Sequence, residues 1–195
     1  MICGYKYRIY PNKEQVILIH KTFGCVRKMW NSLLAQSLDD NKHYLPKSKR
    51  TKKQYSVKGI KQEYGYMYEV DALAFANVEQ NLRKAWSNHF RENSPSGAPH
   101  FKKKRYAQSY QTNNLIGKNG TGSIRIGGAR IKLPKIGYVK IRLHRSFHGI
   151  IKTVTVRETA SSEFYATLGV NSPIWIKKAK FLRNLLLKER TVQFE

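Results

Sequence analysis

The chain has little acid. Its 195 residues hold 12 Asp and Glu against 37 Lys and Arg, a formal net charge of +25. Asp occurs only at positions 39, 40 and 71. No spacing among them suggests a two-metal site, whose ligands are mostly carboxylates. Cysteine is almost absent as well. Cys3 and Cys25 stand alone with no CxxC, which excludes a cysteine-built zinc site and makes a reduced, cytoplasmic setting the expectation. No apolar run approaches the ~18 residues of a membrane span. The opening MICGYKYRIY alternates and lacks the apolar core of a signal peptide. There is no P-loop, GxGxxG or nucleophile elbow. The Gly-rich GTGSIRIGGAR (120–130) joins strands and does not open a helix, so it reads as a hairpin turn. The six His are scattered; His144 and His148 have a metal-like spacing but no cysteine nearby. Neither a cofactor nor a metal is expected.

What is present is an apolar core and a basic surface. Hydrophobic residues make up 41% and aromatics 12%, enough to exclude wholesale disorder. Every segment of the chain is basic; residues 107–170 alone carry ten Lys and Arg against two Glu. Charge spread over folded parts forms surfaces rather than a tail. It points to a polyanion, nucleic acid first and an anionic membrane surface second, and away from a small-molecule substrate.

Periodicity divides the chain in two. Ile2 to Tyr10 alternates, with Tyr5, Tyr7 and Ile9 on one side and Lys6, Arg8 and Tyr10 on the other, which predicts a half-buried strand. Pro11 ends it. Asn12 and Gln15 form a capping-box pattern ahead of a helix over 13–38 with the stripe Ile19, Phe23, Val26, Trp30 and Leu33. Gly24 lies inside that helix and slightly weakens the pattern, and Arg27 and Lys28 flank the stripe and face outward. Residues 39–55 are polar and basic. A second helix is predicted over 56–67 with Ser56 as cap, and a third from the cap Asp71 to about Arg91. Past residue 106 come six short β-branched segments: 109–116, 123–126, 130–133, 137–143, 151–156 and 164–170. Residues 176–195 read as a basic helix. The simplest architecture is α+β: a small β-barrel or curled sheet whose first strand pairs with the later ones, with helices inserted between.

Two basic features suit nucleic acid. One face of the strands carries Arg125, Arg130, Lys132, Lys140, Arg142, Arg145 and Lys152, with Tyr110, Tyr138 and Tyr165 interleaved. Such cations follow phosphates and give affinity without sequence choice. The third helix offers Asn77, Gln80, Asn81 and Lys84 at helical spacing, the side-chain types that read a groove. An ordinary solvated helix face is the alternative for those four.

The words themselves resemble a known family. YKYRIYPNKEQ (5–15) and GCVRKMWNSLL (24–34) resemble the start of TnpB, the OrfB-type accessory transposase of insertion sequences. AWSNHFRE (85–92), GAPHFKKKR (97–105), SYQTNN (109–114), IKLPKIGYVKIRLHR (131–145) and IIKTVTVRE (150–158) continue the likeness in order. The resemblance implies an OB-like wedge barrel with its first strand at 1–11 and the rest at 106–170. It further implies a helix-turn-helix-like recognition domain at 12–105. Family members are RNA-guided, Mg²⁺-dependent DNA endonucleases, so it also implies a guide-type RNA and double-stranded DNA as partners. The binding residues it singles out together with the basic pattern are Lys6, Arg8, Arg27, Lys28, Asn77, Gln80, Lys84, Lys102, Lys103, Lys104, Arg105, Tyr110, Thr112, Asn113, Lys132, Lys135, Lys140, Arg142, Arg145 and Lys152.

The chain also departs from that family. The RuvC-like domain should open with G-I-D-x-G after Leu168, but the sequence continues GVNSPIWIKK, and the only acids beyond are Glu189 and Glu195. KAKFLRNLLLKER (178–190) resembles the helix after the first RuvC strand. The expectation is a nucleic-acid-binding, non-cleaving piece of such a protein, with 171–195 a truncated remnant of the nuclease region. A nuclease-dead repressor derived from the family and a structural RNA-binding protein remain as alternatives.

Overall fold

The computed structural model describes residues 2–42, 57–92, 95–105 and 108–172. The basic arm at 47–53, the Ser56 cap and the helix expected at 176–195 lie outside the described residues. In order the chain forms β1 (Ile2–Tyr10), α1 (Lys13–Lys42), α2 (Val57–Glu63), a 3-10 helix (Gly65–Glu69) and α3 (Ala72–His89). Six strands follow: β2 (Ser109–Asn113), β3 (Arg125–Gly127), β4 (Arg130–Leu133), β5 (Gly137–Arg142), β6 (Ile150–Glu158) and β7 (Phe164–Asn171). The class is α+β. All seven strands form one antiparallel sheet, ordered β2-β6-β7-β1-β5-β4-β3 and curled into a half-barrel.

β1 lies in the middle of this sheet. It pairs with β7 from Ile2↔Asn171 to Ile9↔Phe164, and its far end pairs with β5 through Arg8↔Arg142. Its alternation then decides the layers. Tyr7 and Ile9 are buried, while Lys6, Arg8 and Tyr10 face out. The inward faces of β4 to β7 contribute Ile131, Val139, Ile141, Val154, Leu168 and Val170 to the same core.

The helices start where their caps say. Asn12 Oδ1 accepts from the Gln15 backbone N–H at 2.8 Å, and Gln15 Oε1 accepts from that of Asn12 at 3.0 Å, a complete capping box. The predicted stripe of α1 is buried in full, and the helix runs on to Lys42 rather than stopping at 38. Asp71 caps α3 by accepting from the Leu73 N–H at 3.1 Å. α2 is shorter than the 56–67 expected, because the chain tightens into the 3-10 turn at Gly65. α1 and α3 pack on the inward side of β2, where the rings of Phe23 and Tyr110 lie 5.9 Å apart.

The strand expected over 109–116 is shorter and ends at Asn113. Asn114 turns its amide into a clasp between the ends of the sheet. Its Oδ1 accepts from the Ile124 N–H at 2.8 Å, and its Nδ2 donates to the Ile151 carbonyl at 3.0 Å. A Cβ on Gly122 would come within 2.7 Å of this amide, so a side chain there would push the Asn114 clasp aside. The Gly-rich stretch is a hairpin as expected: Gly127 pairs with Arg130, and Gly128 takes φ +56° in the two-residue turn between them.

Candidate nucleic-acid interface

Directly opposed residues of an antiparallel pair project from the same side of the sheet. The outer face is therefore fixed by register. Arg8 stands opposite Arg142, Lys140 opposite Arg130, and Lys132 opposite Arg125. These are three like-charge pairs across four adjacent strands, β1, β5, β4 and β3. In the other direction Arg8 opposes Tyr165, Tyr165 opposes Arg157, and Arg157 opposes Ser109. A cleft of about 460 Å³ lined by Lys6, Arg105, Arg157 and Tyr165 adjoins this row.

Like charges placed directly opposite destabilise a sheet. Among the described residues one ion pair relieves this face, Arg8 to Glu163 at 2.6 Å. Aromatic rings take up part of the rest: Lys6 Nζ lies 4.3 Å from the Tyr165 ring centre and Lys132 Nζ 5.8 Å from that of Tyr138. Glu163 also accepts from the Tyr165 hydroxyl, which raises the pKa of that phenol. The face is cationic, interleaved with rings, and short of counter-charge.

A second basic element lies against α1. Residues 100–105, HFKKKR, are strapped to the helix by side chains one turn apart. The Trp30 indole N–H donates to the His100 carbonyl at 3.0 Å. Asn31 grips Lys102 twice, donating to its carbonyl at 3.0 Å and accepting from its N–H at 2.8 Å. Arg27 donates to Gln108 Oε1 at 3.1 Å, and Gln108 donates to the Lys104 carbonyl. Lys102 Nζ sits 3.9 Å over the Trp30 ring, where desolvation lowers its pKa. The result is a row of cations on a fixed backbone.

The structure sorts the predicted residues. Lys6, Arg8, Lys140, Arg142, Arg145 and Lys152 are exposed, Lys132 is half-buried, and Lys135 is exposed in a turn at φ +65°. Lys102, Lys103, Lys104 and Arg105 form the exposed strap, with Arg27 half-buried beneath it. Lys28 is exposed on the same helix with its Nζ 4.5 Å from the Tyr64 ring centre. Gln80 and Lys84 are exposed on α3.

Three predicted residues are buried and are corrected here. Asn77 donates to the Leu73 and Gln111 carbonyls at 2.9 and 3.2 Å, tying α3 to β2 rather than reading a groove. The Thr112 hydroxyl donates to Asp71 Oδ2 inside the core. Tyr110 is 3% exposed, and burial raises its pKa. Asn113 is half-buried and its Oδ1 has no hydrogen-bond partner among the described residues. Sequence reasoning overlooked Trp30 and Asn31 as holders of the strap and Gln108 as its anchor. The spacing of Arg27 and Asn31, four residues apart on one helix face, is the signal that could have found the first of these contacts.

Comparison with known proteins agrees with the ordered motifs. Residues 1–43 match the "Helix-turn-helix domain" of OrfB-type insertion-sequence proteins. Within that stretch Ile2–Tyr10 form β1 and Lys13–Lys42 the unbroken α1. "Putative RNA-guided DNA endonuclease InsQ" of Escherichia coli (strain K12) is 22% identical over 174 residues, 88% of this chain and 41% of its own length. A "Putative RNA-guided DNA endonuclease" of Streptomyces pristinaespiralis is 26% identical over 125 residues, 60% of this chain and 30% of its own. The chain thus spans less than half the length of these relatives. The matched domain and these two relatives are of the TnpB/OrfB type, and the chain is similar to that type over most of its length.

Proposed function

We propose that this chain binds nucleic acid, a guide-type RNA and double-stranded DNA, as the binding part of a TnpB-type RNA-guided system, and does not itself cut DNA. In this reading β1 with residues 106–170 is an OB-like wedge barrel, and residues 12–105 are its inserted recognition part. The observation that carries the proposal is the set of opposed cations on the outer face, Arg8/Arg142, Lys140/Arg130 and Lys132/Arg125. That arrangement opposes folding unless a polyanion offsets it. Both relatives are named as RNA-guided DNA endonucleases, which supports the two kinds of partner.

The non-cleaving part rests on the donor set. Among the described residues no three His, Cys, Asp or Glu side chains come together. They do not fit the Mg²⁺ that the resemblance attaches to the family's nuclease domain, and no cleavage step is derived from them.

A binding series in rising salt tests the first part. Affinity for labelled duplex DNA should fall with a log–log slope of about −0.9 per phosphate contacted. A flat series would contradict it. Incubation of the chain with RNA, target DNA and Mg²⁺ tests the second part: intact DNA is expected, and metal-dependent cleavage would overturn it.

A further inference from the structure

Gly24 sits in the interior of α1, where glycine is a poorer helix former than alanine. The fold does not require it there: a Cβ at Gly24 would meet nothing within 4 Å. The space it leaves open belongs to two clefts. One, of about 460 Å³, lies toward the 3-10 helix and is lined by Lys28, Tyr66 and Glu69. The other, of about 420 Å³, lies toward the strap and is lined by His20, Lys104 and Glu158. Gly24 and Arg27 border both.

The first cleft has the chemistry of a base platform. Tyr66 is 51% exposed, and its ring lies 5.9 Å from that of Tyr64. Lys28 Nζ stands 4.5 Å from the Tyr64 ring centre. Glu69 is neutralised by Lys21 at 2.7 Å, so Lys28 and Arg27 leave the cleft net positive. The second cleft continues the cationic path with Lys104. Aromatic faces interleaved with cations along a groove are what unpaired nucleic acid requires. A duplex keeps its base faces stacked and has none to offer a tyrosine.

Building on the nucleic-acid reading above, we propose that an unpaired polynucleotide strand crosses α1 at Gly24. One base stacks on Tyr66, and a phosphate rests at Arg27, which Gln108 holds in place. The missing side chain at Gly24 is the saddle that lets the backbone pass.

The test uses the full chain, a labelled uridine or thymidine oligomer of about 12 nucleotides, and a short duplex DNA. Tyr66→Ala and Gly24→Leu should each weaken single-strand binding by about 5- to 150-fold and leave duplex affinity unchanged. Tyr66→Phe keeps the stacking face and should bind within about twofold of the parent. Leucine is also the better helix former, so Gly24→Leu should melt at or above the parent temperature. If it instead misfolds, the two Tyr66 variants decide alone. A tighter uridine oligomer assigns the strand as RNA, and a tighter thymidine oligomer assigns it as DNA; either ranking is compatible with the crossing. Unchanged single-strand affinity in Tyr66→Ala, with duplex binding intact, overturns the crossing and leaves the broader function standing. A parent chain that binds none of the three ligands overturns both.

Discussion

Tyr110 and Thr112 occupy alternate positions of β2 and both point inward, one with a hydroxyl that has no partner among the described residues and one bonded to Asp71. Alternation in SYQTN puts the two on one face, and from sequence Tyr110 falls on the exposed basic side because both sides carry polar groups and neither reads as core. The buried carboxylate that satisfies Thr112 comes from the cap of α3, 41 residues earlier, and nothing local signals it. Tyr110→Phe removes this buried hydroxyl. We expect stability to hold or rise by up to about 1 kcal/mol, measured by denaturant midpoint, with nucleic-acid affinity unchanged. A loss of affinity would mean the phenol reaches the ligand after all. Asn31→Ala should cost about 1–2 kcal/mol and free the strap, so trypsin should cut at Lys102–Arg105 faster than in the parent. Equal cutting rates would show that Asn31 does not hold that segment.

At the scale of elements, the parts with local signals were legible. The Asn12–Gln15 box, the Asp71 cap, the stripe of α1 and the strand at 130–133 fall where the sequence puts them. The shortfalls have tertiary causes. β2 stops at Asn113, next to the Asn114 side chain that reaches Ile124, and α2 gives way at Gly65 to a 3-10 turn. Asn114→Ala removes bonds to both Ile124 and Ile151 and should destabilise by about 2–4 kcal/mol, seen as a lower denaturant midpoint. Gly122→Ala should act in the same direction, since its methyl would collide with the same amide. If both variants melt like the parent, the clasp contributes nothing to closing the sheet.

For the whole molecule the charge decides. The basic face was readable in sequence as alternation of Val139 and Ile141 with Lys140 and Arg142, but its cross-strand pairing was not. Arg8 meets Arg142 only because β1 inserts between β5 and β7, a contact spanning most of the chain. Among the described residues no helix is long and apolar enough to cross a membrane.

The central claim is that this outer face meets phosphates, and the salt dependence of duplex binding tests it most directly. The parent chain is compared with a triple variant, Lys132→Gln, Lys140→Gln and Arg142→Gln, whose folding is checked by its melting curve. The parent should lose affinity steeply with salt. The variant should bind more weakly, with a slope shallower by about 2–3, one unit for each contact removed. A variant with the parent's affinity and slope would place the nucleic acid elsewhere and contradict the account.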